Sequence, residues 1–214
     1  MRNFDVDALR LSVKSRMDEW RYTHTLGVEE MAARLGELYI PKRVAELRCA
    51  ALLHDITKCE TTEKQLQYCS EFGIILKGFQ KMSPKLLHAM TGAEIILREY
   101  PEYATDDIVS AVRWHTTGRD GMSMFEGIVY LADYIEEKRA FKDCVCLREY
   151  FWGNNPLDMT ASERLAHFYK TMVMSVDLTV NALIVENAFV DKDTIECRNY
   201  YLELALSGIK TDQA

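Results

Sequence analysis

The chain has 214 residues, 48% of them hydrophobic and 28% charged, which excludes a disordered, collagen-like or low-complexity chain and suffices for the core of one globular domain. Lys and Arg number 26 against 33 Asp and Glu, a net charge of -7. That balance excludes a polyelectrolyte surface for long nucleic acid, so an anionic substrate would need local positive charge to hold it.

Taken in chain order, the apolar positions recur at helical rather than alternating spacing. His24, Val28, Met31 and Leu35 form one stripe. Leu47, Ala50, Ala51 and His54 form another, behind Pro41 at a first helical position. Ser83-Pro84 reads as N-cap and N1 of a helix whose stripe is His88, Gly92, Ile95 and Ile96. Asp106 or Asp107 opens the next, with Ile108, Ala111, Val112 and His115 on one face and Gly118 as its stop. Between about 123 and 138, Met124, Ile128, Leu131 and Ile135 step by three or four, with Asp133 on the flank. Phe141 to Pro156 reads as a loop around Gly153-Asn-Asn-Pro156. Thr160-Ala-Ser-Glu163 is a capping box for a long helix to about Asn187, and a last helix runs from near Asp193 to before Gly208. With no β-branched alternation and no solenoid repeat, the expected fold is all-α, a single domain over residues 1–214.

The six cysteines follow no secretory n-region and h-region, and Cys144 and Cys146 make a CxC, so a reducing cytosol is expected rather than a disulfide framework. No apolar run is seen to approach the roughly 20 residues of a membrane span, so no membrane partner is expected.

Four of the five histidines, His24, His54, His88 and His115, lie on the apolar stripes of four different helices. Each alone reads as a satisfied core histidine. Together they would waste much desolvation energy unless a cation turned them into ligands. Asp55 follows His54 about 100° further round an apolar helix. Asp133 sits in Tyr130-Leu-Ala-Asp133-Tyr-Ile, either facing the same interior or as a surface acid, since Glu136-Glu137 marks that side as solvated. Imidazole and carboxylate without thiolate suit iron, manganese, zinc or nickel. Six ligands exceed one open site and suffice for two metals roughly 3.5–4 Å apart sharing a carboxylate, Asp55 being the natural bridge.

His24, the doublet His54-Asp55 and Asp133 reproduce the H…HD…D signature of HD-domain metal-dependent phosphohydrolases. Arg21-Tyr-Thr-His24-Thr-Leu-Gly-Val28, Leu52-Leu-His-Asp55-Ile-Thr-Lys58, Leu87-His-Ala-Met-Thr-Gly92-Ala-Glu94, His115-Thr-Thr-Gly118 and Ala132-Asp133-Tyr-Ile-Glu136-Glu-Lys-Arg139 resemble the YqeK family within that group. Asp193-Thr-Ile-Glu-Cys-Arg198-Asn199 is similar to the family's C-terminal segment. The resemblance spans about residues 16 to 206. It departs at about 144–160, which reads as an insertion, and at Asn187-Ala-Phe-Val-Asp-Lys-Asp193, which lacks a His-Pro. It implies an HD-domain helical bundle with a metal-binding core over about 16–140 and C-terminal helices over about 160–206.

The family's members are symmetrical diadenosine tetraphosphate hydrolases with a di-iron centre. The resemblance therefore implies His24, His54, Asp55 and Asp133 around one divalent metal, and His88, His115 and the shared Asp55 around the other. Iron is the first expectation, with manganese or another transition metal as substitute. Such a pair lowers the pKa of water from about 15.7 toward roughly 7 and neutralises the oxygens of the attacked phosphorus. Asp55, His54 and Lys58 are the expected catalytic residues. Lys58 is either a phosphate contact or an exposed helix-end lysine, and Arg21 either a phosphate clamp or a partner of a ligand. Thr116, Thr117 and Gly118 either let a substrate approach the backbone or simply end a helix. Arg139 is preferred to Arg119 for distal phosphates, and His167 reads as surface or core packing. A homodimer is left open. The competing readings are another nucleotide substrate (guanosine tetraphosphate, a dNTP or a cyclic nucleotide) and a nucleotide-binding module without turnover.

Overall fold

The computed structural model describes residues 4–210, and among these every regular element is helical, as expected. Residues 1–3 and 211–214 of the expected domain lie outside the described residues. The chain forms two compact units, one running to Thr116 and resuming over Ser123–Lys138, the other made of Thr117–Met122 and the residues from Arg139 onward.

The first unit holds α1 (Val6–Lys14), α2 (Glu19–Tyr39), α3 (Val44–Leu53), α4 (Thr62–Glu71), α5 (Leu87–Glu99), α6 (Asp106–Trp114) and α7 (Met124–Ile135). Its hub is α3, where Leu47, Cys49, Ala50, Ala51, Leu52 and Leu53 are all buried. A helix apolar on nearly every side is stable only when surrounded, and α1, α2, α6 and α7 all pack against it. Small residues at Ala50 and Ala51 let those neighbours come close. Burial beside Glu29 and Glu46 pushes the Cys49 thiol up to about 12, so it stays an uncharged core group.

Capping sets the helix starts that aim the site. Asp18 accepts from the Arg21 N–H to open α2, Thr105 from Ile108 to open α6, and Ser123 with Glu126 forms a capping box on α7. The sequence names Asp106 or Asp107 where Thr105 is the cap, and Gly118 as a stop where α6 already ends at Trp114. Ser83 makes no side-chain cap either: Pro84–Leu86 is a 3₁₀ turn and α5 starts at Leu87. Pro41 likewise opens a 3₁₀ turn, Pro41–Arg43, ahead of α3. Buried Glu29 on α2 accepts from Arg10 (2.8 Å from Nε) and Arg48 (2.8 Å), tying α1 and α3 to α2 with a paired charge.

The second unit holds α8 (Lys142–Gly153), α9 (Ala161–Val185) and α10 (Lys192–Lys210). The segment read as loop from Phe141 is therefore mostly helix, with Cys144, Leu147 and Phe151 buried on one face. The capping box at Thr160 and Glu163 opens α9 as expected. His167 is core packing: its Nε2 lies 2.9 Å from the Phe151 carbonyl, its ring stacks on Phe151 at 5.1 Å, and burial pushes its pKa down. Phe168, Tyr169, Tyr200 and Tyr201 pack on one another. By length and composition α9 is apolar enough to cross a membrane, where the sequence reading finds no such run. It nevertheless carries Lys170 and Asp177, and Asp177 accepts from Arg198 Nε on α10 at 2.5 Å.

Candidate metal centre

Five helices of the first unit and the turn that follows α3 deliver six side chains to one buried cluster. His24 lies within α2, His88 in the first turn of α5 and Asp133 in the last turn of α7. His54 is the C-cap of α3 and His115 that of α6. Asp55 is not on a continuing helix, as the sequence reading has it. The chain tightens after Leu53, with Ile56 N–H on the Leu53 carbonyl (3.1 Å) and Lys58 N–H on the Asp55 carbonyl (2.9 Å). These are 3₁₀-type bonds, which turn Asp55 inward beside His54.

Asp55 stands at the middle of the cluster, and its two oxygens divide the histidines. Oδ2 lies 3.3 Å from His54 Nε2 and 4.0 Å from His24 Nε2. Oδ1 lies 3.1 Å from His88 Nε2 and 3.6 Å from His115 Nε2. Asp133 Oδ1 completes the first set, 3.0 Å from His24 Nε2 and 3.7 Å from His54 Nε2. Donor atoms of His24, His54 and Asp133 all fall within 4.8 Å of one another, as do those of His54, Asp55 and His115.

Tautomers follow from the partners of the other ring nitrogens. Nδ1 of His54, His88 and His115 each lies 2.6–2.8 Å from a backbone carbonyl, those of Ala51, Lys85 and Val112. A carbonyl only accepts, so each Nδ1 carries the proton and each Nε2 presents a lone pair to the cluster. Burial pushes His88 down to about 4 despite the Asp55 carboxylate beside it, and Lys58 adds to the fall. His115 is lowered by the same burial and by His54. For Asp55 burial acts upward, but the imidazoles of His54, His115 and His88 that surround it prevail and hold it well below the usual carboxylate range.

This donor set fits divalent cations. His54 Nε2 is buried with no hydrogen-bond partner. The Nε2 atoms of His88 and His115 face each other at 3.0 Å with both ring protons committed elsewhere. Two converging lone pairs repel unless a cation lies between them and a third acceptor, and Asp55 supplies that acceptor.

Two cations of the protein border the cluster, one at each half. Arg21 donates to Asp55 Oδ2 at 2.5 Å, and Lys58 Nζ lies 3.2 Å from His88 Nε2. Thr116, next to His115, has a buried hydroxyl with no hydrogen-bond partner. Thr117, Gly118 and Arg139 belong to the second unit. There Thr117 Oγ1 donates to the Gly118 carbonyl (2.9 Å), and the Arg139 carbonyl accepts from Arg148 (3.2 Å). Gly118 has φ +64 and sits against Cys197, which is a packing reason for the glycine.

One functional neighbour escapes the sequence reading. Glu136, taken as a mark of a solvated side, is fully buried with Oε1 3.0 Å from His24 Nδ1; Glu137 alone is exposed. The available signals are its position three residues after Asp133 and the glycine three residues after His24.

A family model described as HD domain matches residues 21–138. The chain belongs to the HD-domain family. This HD-domain protein is 37% identical over 137 residues to the symmetrical bis(5'-nucleosyl)-tetraphosphatase of Bacillus subtilis, covering 60% of this chain and 68% of that protein. It is 40% identical to the protein of the same name from Halalkalibacterium halodurans (63% and 70% covered), and 29% identical to that from Staphylococcus aureus (92% and 94% covered). It is therefore YqeK-like, as its motifs imply. A crystal structure of a predicted HD superfamily hydrolase involved in NAD metabolism from Clostridium acetobutylicum superposes with a TM-score of 0.78 at 32% identity, covering 94% of this chain and 98% of that one.

Proposed function

We propose that this HD-domain protein hydrolyses diadenosine tetraphosphate symmetrically, one water adding across the central phosphoanhydride to give two ADP. The observation that carries the reading is the division of the Asp55 carboxylate: one oxygen faces His24, His54 and Asp133, the other His88 and His115. The relatives named as symmetrical tetraphosphatases supply the substrate class.

In this reading His24, His54, Asp55 and Asp133 hold one divalent metal, and His88, His115 and Asp55 the other. Iron is the proposed resident metal, as the YqeK resemblance implies, with manganese able to replace it; imidazole and carboxylate donors without thiolate suit either. The metals would supply Lewis acidity toward phosphoryl oxygens and a lowered pKa for water. The chain's residues do the rest. Asp55 fixes the spacing of the two halves, and the Nδ1 bonds keep His54, His88 and His115 in the tautomer that presents Nε2. Arg21 and Lys58 offset Asp55 and Asp133, so cations added to the centre make it net positive against an acidic surface. Their placement at opposite halves of the cluster suits phosphates on both sides of a central bond. The Thr116 hydroxyl is a further phosphate donor.

The test is a substrate panel on protein loaded with Mn²⁺ or Fe²⁺, resolved by chromatography: diadenosine tetraphosphate, guanosine tetraphosphate, a dNTP, a cyclic nucleotide and NAD. The dinucleotide should turn over fastest, with ADP as the sole product. Faster turnover of another member would overturn the substrate assignment, and no turnover of any member would overturn the enzymatic one.

A further inference from the structure

Three of the four cluster histidines lie at helix ends: His54 and His115 cap the C-termini of α3 and α6, where the last carbonyls lack helix partners, and His88 opens α5 just after the 3₁₀ turn Pro84–Leu86. His54, His88 and His115 each bond the carbonyl three residues earlier. His24 does not. It lies inside the 21-residue α2, where the carbonyls of the preceding turn already accept helix N–H groups, and its Nδ1 meets a side chain instead. Its Nδ1 needs an acceptor from elsewhere, and a buried imidazole without one would be free to take the wrong tautomer.

We propose that Glu136 is the positioning residue for His24, and that residue 27 is glycine to admit it. Glu136 sits just past the end of α7, fully buried, with Oε1 3.0 Å from His24 Nδ1. Asp133, one turn earlier, places Oδ1 3.0 Å from Nε2 of the same ring. The end of α7 thus brings one carboxylate to each nitrogen of the same imidazole. The second Glu136 oxygen accepts the Lys138 N–H at 2.5 Å, which fixes the carboxylate.

Gly27 lies three residues after His24 on the same face of α2. It is not among the glycines with positive φ, so no backbone conformation demands it, and in mid-helix it costs about 1 kcal/mol relative to alanine. A Cβ there would land on Glu136 Oε2 and touch Lys138. The helix accepts the weaker residue because the carboxylate occupies the space. His24 is then the one histidine of the four backed by a carboxylate rather than a carbonyl, which makes its Nε2 the more basic ligand atom. The inference rests on the metal-centre reading and not on the identity of the nucleotide.

The experiment compares wild type with Glu136→Ala, Glu136→Gln, Gly27→Ala and the Gly27→Ala/Glu136→Ala double variant. Mn²⁺ binding is measured by equilibrium dialysis, and the His24 tautomer by ¹⁵N NMR of the metal-free protein. Wild type should show a protonated Nδ1 on His24. Glu136→Ala should lose roughly 10–100-fold in affinity for one of two Mn²⁺ ions, as removal of such a partner does elsewhere. Glu136→Gln keeps an acceptor and should recover part of that affinity. Gly27→Ala should weaken Mn²⁺ as Glu136→Ala does, while the double variant should be no worse than Glu136→Ala, since the displaced group is already gone. Wild-type affinity in Glu136→Ala, fully additive losses in the double variant, or an unprotonated Nδ1 in wild type would each overturn the proposal. If Glu136→Ala fails to fold, Glu136→Gln and the NMR signature decide. Wild type that binds no Mn²⁺ would overturn the metal-centre reading as well, which separates the two failures.

Discussion

Lowering the pH from 7 to 5 should destabilise the metal-free protein by about 2 kcal/mol through His88 alone. The group is buried, and burial brings its pKa from 6.5 to about 4. In the unfolded chain the imidazole takes up a proton as the pH falls through 6.5, whereas in the folded chain it stays neutral until about 4. The unfolded state therefore binds more protons throughout that window, and stability falls as the pH drops. Over the whole interval the loss reaches about 3 kcal/mol, at about 1.4 kcal/mol per pH unit. His115 shifts in the same direction and adds to it. Asp55 does not: its pKa is held below the ordinary value of 3.8, so its stabilisation is lost only at lower pH still. The assay is urea unfolding of chelator-treated wild type and His88→Gln at pH 7 and pH 5. The variant should lose about 2 kcal/mol less than wild type on acidification. Equal losses in the two proteins would refute the argument that a buried neutral His88 governs acid sensitivity.

Asp55→Asn keeps the side-chain volume but removes the charge on which both halves of the cluster converge. Bound Mn²⁺ should fall below two per chain and turnover should be lost while the helical circular dichroism is retained; activity within tenfold of wild type would contradict the shared-carboxylate scheme. Gly118→Ala puts a Cβ on a residue with φ +64 and into Cys197. The backbone penalty alone is about 1–2 kcal/mol, and thermal unfolding should show at least that loss. Thr160→Ala removes the cap and capping box of α9, at about 1 kcal/mol of stability, with an unchanged melting temperature as the contrary result.

What the sequence discloses here follows from the range of the interactions involved. The capping box at Thr160 and Glu163 is readable because cap and partner lie three residues apart. His24 and His88 are readable as inward-facing because each recurs on its helix with apolar neighbours. The exact position of Asp55 is not, because the shift from α-helical to 3₁₀ bonding after Leu53 changes direction without changing composition. Glu136 is misread for a related reason. A carboxylate beside another carboxylate looks solvated until a histidine 112 residues away supplies the proton it accepts. Burial of Glu29 depends likewise on Arg10 and Arg48, each 19 residues distant. Thr105 is passed over because Asp106 and Asp107 are equally good caps by type, and only the backbone geometry separates them.

Hydrolysis of diadenosine tetraphosphate in ¹⁸O-water by the metal-loaded protein, followed by mass spectrometry of the nucleotides, tests the central claim most directly. Attack on one phosphorus of the central bond predicts ADP alone, with one ¹⁸O in half of the molecules and none in the rest. ATP and AMP among the products would place the cut at another bond and contradict the symmetric two-metal account.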